Sequence, residues 1–177
     1  MTKRARAIVL TVIQCLLVSS IAAKFLYERI TCPRVWVRAA QYDPELPMRG
    51  RYLALSPEVD VCSLNLHAPA ANQPPRWYNG HPVQLIARDG QLVAIDAEGR
   101  LPRGDYQRVT MTDKTACNRA RVFPGMDYFI PEHAQSLFPL KPGQELWAEV
   151  TVPPSGPPRP IQLALSDHGR WQVLKFD

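Results

Sequence analysis

The feature that most constrains this chain is an uncharged stretch at residues 7–23, which directly follows the basic residues Lys3, Arg4 and Arg6. It reads AIVLTVIQCLLVSSIAA, and the apolar residues 25–27 prolong it. A helix of about 20 apolar residues crosses about 30 Å of hydrocarbon. The sequence therefore predicts a single N-terminal transmembrane helix that lies in a lipid bilayer.

The charges around this stretch predict its orientation. Basic residues precede it, and the positive-inside rule keeps such an end in the cytoplasm. Residues 1–29 would form a cytoplasmic tip and a membrane anchor, and residues 30–177 would fold in the periplasm beyond a bacterial inner membrane. A cleaved signal peptide is the alternative, because residues 20–23 (SIAA) offer small residues at a possible cleavage point. The apolar residues that follow favour an uncleaved anchor.

The overall charge does not indicate nucleic-acid binding. The formal net charge is +5, but the excess of basic residues lies before residue 31. From residue 31 onward, 16 basic residues accompany 15 acidic ones, a net charge of +1. A nucleic-acid-binding domain needs a basic face to neutralise phosphates. The charge excess therefore belongs to the membrane segment and its flanks.

Proline shapes the expected fold of the outer domain. The chain has 18 prolines in 177 residues, and proline ends helices and central strands because it lacks an N–H donor. Short runs of β-forming residues lie between the prolines. The pattern predicts a mainly β fold, a small antiparallel barrel or sandwich of about nine short strands with one short helix. The strand candidates are 34–41, 51–56, the two halves of 82–96, about 106–111, 119–123, 127–130, 145–152, 160–166 and 170–176, and the last two are expected to pair around His168-Gly169.

Three segments carry the clearest local signals. Residues 82–96 contain two alternating runs around Asp89-Gly90, a pair that suits a type I′ hairpin turn. Residues 57–82 hold five prolines and are expected to form an irregular excursion. Residues 131–139 are the helical candidate of the outer domain, because proline suits the first position of a helix and a second proline ends it.

Four cysteines leave two alternatives open in the outer domain. Cys15 lies in the apolar helix, and Cys32 follows it. Cys62 and Cys117 lie in the folded region, where an oxidising compartment would allow a disulfide between them. Buried free thiols are the other interpretation. No CxxC spacing suggests a zinc site.

The motif positions of a first block are Asp43, Pro44, Arg49, Gly50, Arg51, Tyr52 and Leu55, and those of a second block within residues 124–135 are Tyr128, Pro131 and Glu132. With the strand candidate at 145–152, the final hairpin and the N-terminal helix, these blocks resemble the bacterial GDYXXLXY-domain proteins. The chain departs from the family signature at Arg51 and Pro57, where the signature has Asp and its last Tyr. The resemblance implies a membrane-anchored protein of unknown function, often encoded beside multi-helix membrane proteins. It brings no catalytic residues, and structural roles explain the motif residues well.

The sequence favours a non-enzymatic role. It has no GxSxG elbow, P-loop, GxGxxG or HExxH spacing, and neither a cofactor nor a metal is expected. Gln14 is a polar residue at mid-membrane, where an amide favours an interhelical hydrogen bond. Arg76, Trp77 and Tyr78 are of the types enriched at interfaces. The expected function is an accessory partner of an integral membrane protein; the alternatives are a periplasmic module that binds a small ligand or cell-envelope component, and an enzyme with an unrecognised site.

Overall fold

The protein consists of an N-terminal helix and a β domain. The computed structural model describes residues 2–43, 52–64, 66, 80–97, 106–111, 116–131, 134 and 137–176. The chain divides into two compact units, Met1–Cys32 and Pro33–Asp177. The division falls close to the boundary expected between residues 29 and 30.

Helix α1 spans Lys3–Thr31. Thr2 caps its start, because the Thr2 hydroxyl accepts a hydrogen bond from the N–H of Ala5 at 3.4 Å. It ends at Thr31, and the cap residue Cys32 has an extended backbone, which suits a residue that precedes a proline. The helix is long and apolar enough to cross a membrane, with a mean hydropathy of 2.0 and no buried part. This supports the expected membrane anchor.

The β domain contains ten antiparallel strands among the described residues, which confirms the mainly β prediction. The strand order is β10-β9-β8-β1-β2-β6-β5-β3-β4, and β7 also pairs with β2. The strands are β1 (Arg34–Asp43), β2 (Tyr52–Val59), β3 (His81–Arg88), β4 (Gln91–Asp96), β5 (Gln107–Thr110), β6 (Ala120–Phe123), β7 (Met126–Phe129), β8 (Gln144–Thr151), β9 (Arg159–Asp167) and β10 (Arg170–Val173).

The sheet is open, so the fold is sandwich-like rather than a barrel. Strands β1 and β4 approach each other although they are not neighbours in the strand order. An isolated bridge between Asp60 and Val93 joins the end of β2 to β4. The folded sheet encloses a core of small and branched aliphatic side chains, which include Val35, Val37, Leu55, Val122, Leu146, Val150 and Leu163.

Both short hairpins form as the sequence predicts. Asp89 and Gly90 have φ of 52° and 75°, as a type I′ turn requires, and they join β3 to β4. His168 and Gly169 have φ of 48° and 85° and join β9 to β10. In each turn, glycine occupies the second left-handed position without steric cost.

The structure differs from the sequence prediction in two segments. Strand β2 continues through Pro57 to Val59, where the sequence predicts the start of an irregular excursion over 57–82, and a 3-10 turn follows at Cys62–Leu64. Residues 65 and 67–79 of that segment lie outside the described part of the chain. The described residues of 131–139 are not helical; the N–H of Ala134 donates to Pro131 in a single turn. A helix of that length gains little from its own hydrogen bonds, and Ala134 is instead buried in the core.

The structure joins Cys62 and Cys117 in a disulfide, the first of the two alternatives that the sequence left open. The N–H of Val61 donates to the carbonyl of Cys117 at 3.0 Å, beside the bridge. The bridge spans 55 residues of sequence. It therefore ties the end of β2 to the segment that enters β6.

We expect Val150→Ala to lower the free energy of unfolding by about 2 kcal/mol, because it removes buried methyl groups and leaves a cavity. Val150 is fully buried, whereas Val173 is 39% exposed. Val173→Ala is the matched control and should change the free energy of unfolding by less than about 0.5 kcal/mol. Urea unfolding of the full chain in detergent, with the disulfide intact, measures both. Equal losses would contradict the burial assigned to β8.

Candidate interaction surface

The four strands β1, β8, β9 and β10 carry an aromatic surface on the side away from the core. Val35 and Val37 of β1 are buried, so the alternating Trp36 and Arg38 lie on the opposite side. Cross-strand register places Trp147 of β8 opposite Arg38. We call Trp36, Arg38, Trp147 and Trp171 the tryptophan face.

The Trp171 indole contacts the other two indoles of this face. The ring centroids of Trp36 and Trp171 lie 5.0 Å apart in an edge-to-face arrangement. Those of Trp147 and Trp171 lie 5.5 Å apart. Ala164 of β9 pairs with Trp147 and is fully buried. Its small side chain leaves room for the indoles to meet above β9.

Charged and amide side chains border the indoles. The Arg38 guanidinium lies 5.6 Å from the centre of the Trp147 ring and also forms an ion pair with Glu145. Gln162 donates a hydrogen bond of 2.8 Å to the Glu149 carboxylate. In the described part of the chain, Nε1 of Trp147 is buried without a hydrogen-bond partner. The face thus combines apolar rings with oriented polar groups.

The β9–β10 hairpin positions Trp171, which is 47% exposed. Trp171 pairs with Ser166 two residues before the turn. At the turn, Asp167 accepts hydrogen bonds from Gln144 at 3.1 Å and contacts His168 at 2.6 Å. The bond from Gln144, followed by the contact with His168, holds the pKa of the Asp167 carboxyl below its usual range.

Two other polar pairs have structural explanations. Arg119 donates to both oxygens of Glu58, at 2.8 and 3.3 Å, and this bond raises the pKa of Arg119. The pair joins β2 to the disulfide segment. His81 and Asp96 lie 3.0 Å apart at neighbouring strand ends. Among the described residues, no group of three His, Cys, Asp or Glu side chains could hold a metal ion.

The motif residues whose side chains the structure describes are buried or half-buried in the β domain. Tyr52 and Leu55 of β2 are buried, and the Tyr128 ring contacts Phe176 at 5.9 Å. Gly125 directly precedes β7. A Cβ at this position would lie 2.6 Å from the Leu55 carbonyl oxygen of β2, so the close approach of the two strands requires glycine there. Pro131 is half-buried.

The remaining residues that the sequence analysis singled out lie elsewhere in the chain. The backbone of Asp43 pairs with that of Ala54 between β1 and β2. Outside the described residues lie Pro44, Arg49, Gly50, Arg51, Arg76, Trp77, Tyr78 and Glu132. Gln14 lies on the exposed surface of α1.

Sequence reasoning missed the tryptophan face. In the alternating pattern of residues 145–152, Trp147 is the one large apolar residue on the polar side. Trp36 and Trp171 occupy equivalent outward positions in their own strands. The available signal was a tryptophan among polar residues in three separate strands, and only the strand order brings those three together.

The tryptophan face has the composition of a binding surface. Tryptophan and arginine are the side chains most often found at energetically important interface positions. Trp171 and the neighbouring Val173 remain accessible to a partner at the open edge of the sheet. No family model, curated protein or solved structure matches the chain.

We expect the Asp167 bonds to make stability depend on acid pH. Because the folded-state pKa is lowered, these bonds stabilise the fold above the unfolded-state pKa of about 3.9 and are lost as the pH falls through the folded-state pKa. The free energy of unfolding should therefore fall more between about pH 6 and pH 3 in the wild type than in Asp167→Asn. Urea unfolding at a series of pH values measures this difference. Parallel pH curves for the two proteins would contradict it.

Proposed function

We propose that this protein is a membrane-anchored accessory subunit of an integral membrane protein in a bacterial inner membrane. Its β domain lies in the periplasm and binds an integral membrane protein through the tryptophan face. It acts as a non-enzymatic binding partner. The clustering of three tryptophans and an arginine on one outward sheet face is the observation that carries this proposal.

The physical chemistry of the face supports protein binding. Indole rings bury a large apolar area at a small entropic cost, and their N–H groups favour specific partners. The Arg38–Glu145 and Glu149–Gln162 pairs fix polar groups beside the rings. Such groups contribute orientation more than affinity. A partner that covers Trp171 would therefore gain apolar contact and a defined binding geometry.

Two observations support the periplasmic orientation. The basic residues before α1 favour a cytoplasmic N-terminus. The Cys62–Cys117 disulfide favours an oxidising compartment for the β domain. The basic residues and the disulfide lie in different parts of the chain, so the two observations support the orientation independently. The resemblance to GDYXXLXY-domain proteins agrees with a membrane-anchored protein that has a multi-helix partner.

The test of the partner is purification of the tagged full chain from detergent-solubilised membranes. We expect a stoichiometric multi-span membrane protein in the eluate. Trp171→Ala should reduce its recovery at least about tenfold, because interface tryptophans often contribute 2 kcal/mol or more. Phe129→Ala is the control, since Phe129 is a 75% exposed aromatic residue on β7. Equal recovery with both variants, or no such protein, would contradict the proposal.

The orientation is tested separately with a C-terminal tag and protease. The expected result is loss of the tag when protease is added to spheroplasts, because the β domain lies outside the cytoplasmic membrane. A cytoplasmic protein must stay intact in the same sample, and a tag protected until detergent is added would show the opposite orientation. Alkaline carbonate should leave the chain in the membrane fraction, whereas a cleaved, soluble domain would be released.

A further inference from the structure

Two hydroxyl groups in the apolar part of α1 donate to carbonyls of the helix itself, whereas the one side-chain amide of the helix does not. Thr11 donates to the Ala7 carbonyl at 3.0 Å and Ser20 to the Leu17 carbonyl at 2.8 Å. The Gln14 side chain makes no comparable bond within the described residues. A carboxamide in hydrocarbon finds no water to bond, so an unpaired Gln14 is costly there.

A continuous seam runs along α1 through Gln14. Residues spaced alternately by four and three follow the left-handed supercoil by which parallel helices pack. We call these positions the Gln14 seam: Ala7, Thr11, Gln14, Val18, Ile21, Phe25, Glu28 and Cys32. The opposite side of the helix carries the aliphatic side chains of Val9, Val12 and Leu16, and Ser19 follows them on that side.

Cys32 belongs to the same seam as Gln14. The two residues are 18 positions apart, about five turns at 3.6 residues per turn. Although the backbone of Cys32 turns away after the helix, its N–H still donates to the Glu28 carbonyl at 2.9 Å. Its Cα therefore keeps the helical register. Cys32 is a half-buried free thiol.

We infer that two copies of this chain pair in parallel through the Gln14 seam. A carboxamide carries both a donor and an acceptor, so two Gln14 side chains related by a two-fold axis can satisfy each other. Two copies inserted in the same direction place Gln14 at equal depth without further adjustment. A polar residue at one seam position also fixes the register of paired helices. This inference rests on the proposed membrane anchoring and names the partner of the Gln14 amide.

The charged residue on the seam does not oppose this pairing. Glu28 lies near the end of α1, beyond the uncharged stretch, and forms an ion pair with Lys24 of its own helix at 3.8 Å. Its charge is therefore compensated before the helices meet.

The seam predicts a specific cross-linking pattern. In a parallel pair, the Cys32 thiols of the two copies face each other, whereas residue 31 points about 100° away. A brief treatment with copper phenanthroline and oxygen removes two protons and two electrons from the two thiols and joins them in a disulfide. Cys62 and Cys117 are already bonded to each other and supply no free thiol, and Cys15, the other free thiol, is replaced by serine in every protein compared.

The experiment cross-links the full chain in native membranes and measures the fraction that runs as a disulfide-linked dimer. The wild type should cross-link at Cys32, and Cys32→Ser should not. Moving the thiol with Thr31→Cys in the Cys32→Ser background should lower the dimer fraction severalfold. Gln14→Leu should weaken association about threefold to tenfold. Gln14→Asn should retain most of it, and Val12→Leu on the opposite side should leave it unchanged.

The outcomes separate this inference from the proposed function. Equal cross-linking of Gln14→Leu and wild type, equal cross-linking through residues 31 and 32, or cross-linking of Cys32 to a different protein would each overturn the inference. Trp171→Ala should cross-link like the wild type, because the tryptophan face takes no part in the seam. A variant that loses the partner but still cross-links therefore bears only on the tryptophan face. A variant that keeps the partner but no longer cross-links bears only on the Gln14 seam.

Discussion

Strand β2 is the element on which the whole β domain depends. One of its edges pairs with β1, and the other pairs first with β7 and then with β6. Leu55, at the centre of this strand, is fully buried. The four strands that carry the tryptophan face join the rest of the domain through the β1–β2 pairing. Loss of β2 would separate the two halves of the sheet.

The same strand shows why part of the fold was beyond sequence reasoning. Pro57 argued for a strand end, because proline lacks the N–H that a central strand donates. In the structure, Pro57 lies where the partner on one edge changes from β7 to β6. There the Ser56 hydroxyl donates to the Val122 carbonyl at 2.8 Å. A side chain thus supplies an interstrand bond at a position that the local pattern marks as a break.

Local signals predicted the hairpins and the anchor, whereas the surface depended on nonlocal order. Asp89-Gly90 and His168-Gly169 fix their turns through backbone preferences that belong to the residues themselves. The apolar helix follows from length and composition. In contrast, the contact between Trp36 and Trp171 depends on the strand order β10-β9-β8-β1, which places both on one face of the sheet, and on the small side chain of Ala164 below them. The residues next to each tryptophan in the sequence do not indicate this strand order.

Water and hydrocarbon assign different roles to polar residues in the two proposed surfaces. In water, the indoles of the tryptophan face supply affinity, while the Arg38–Glu145 pair is solvated at little cost and mainly sets orientation. In a bilayer, aliphatic side chains gain nothing by leaving lipid for another helix. One amide can then decide which face of α1 is covered.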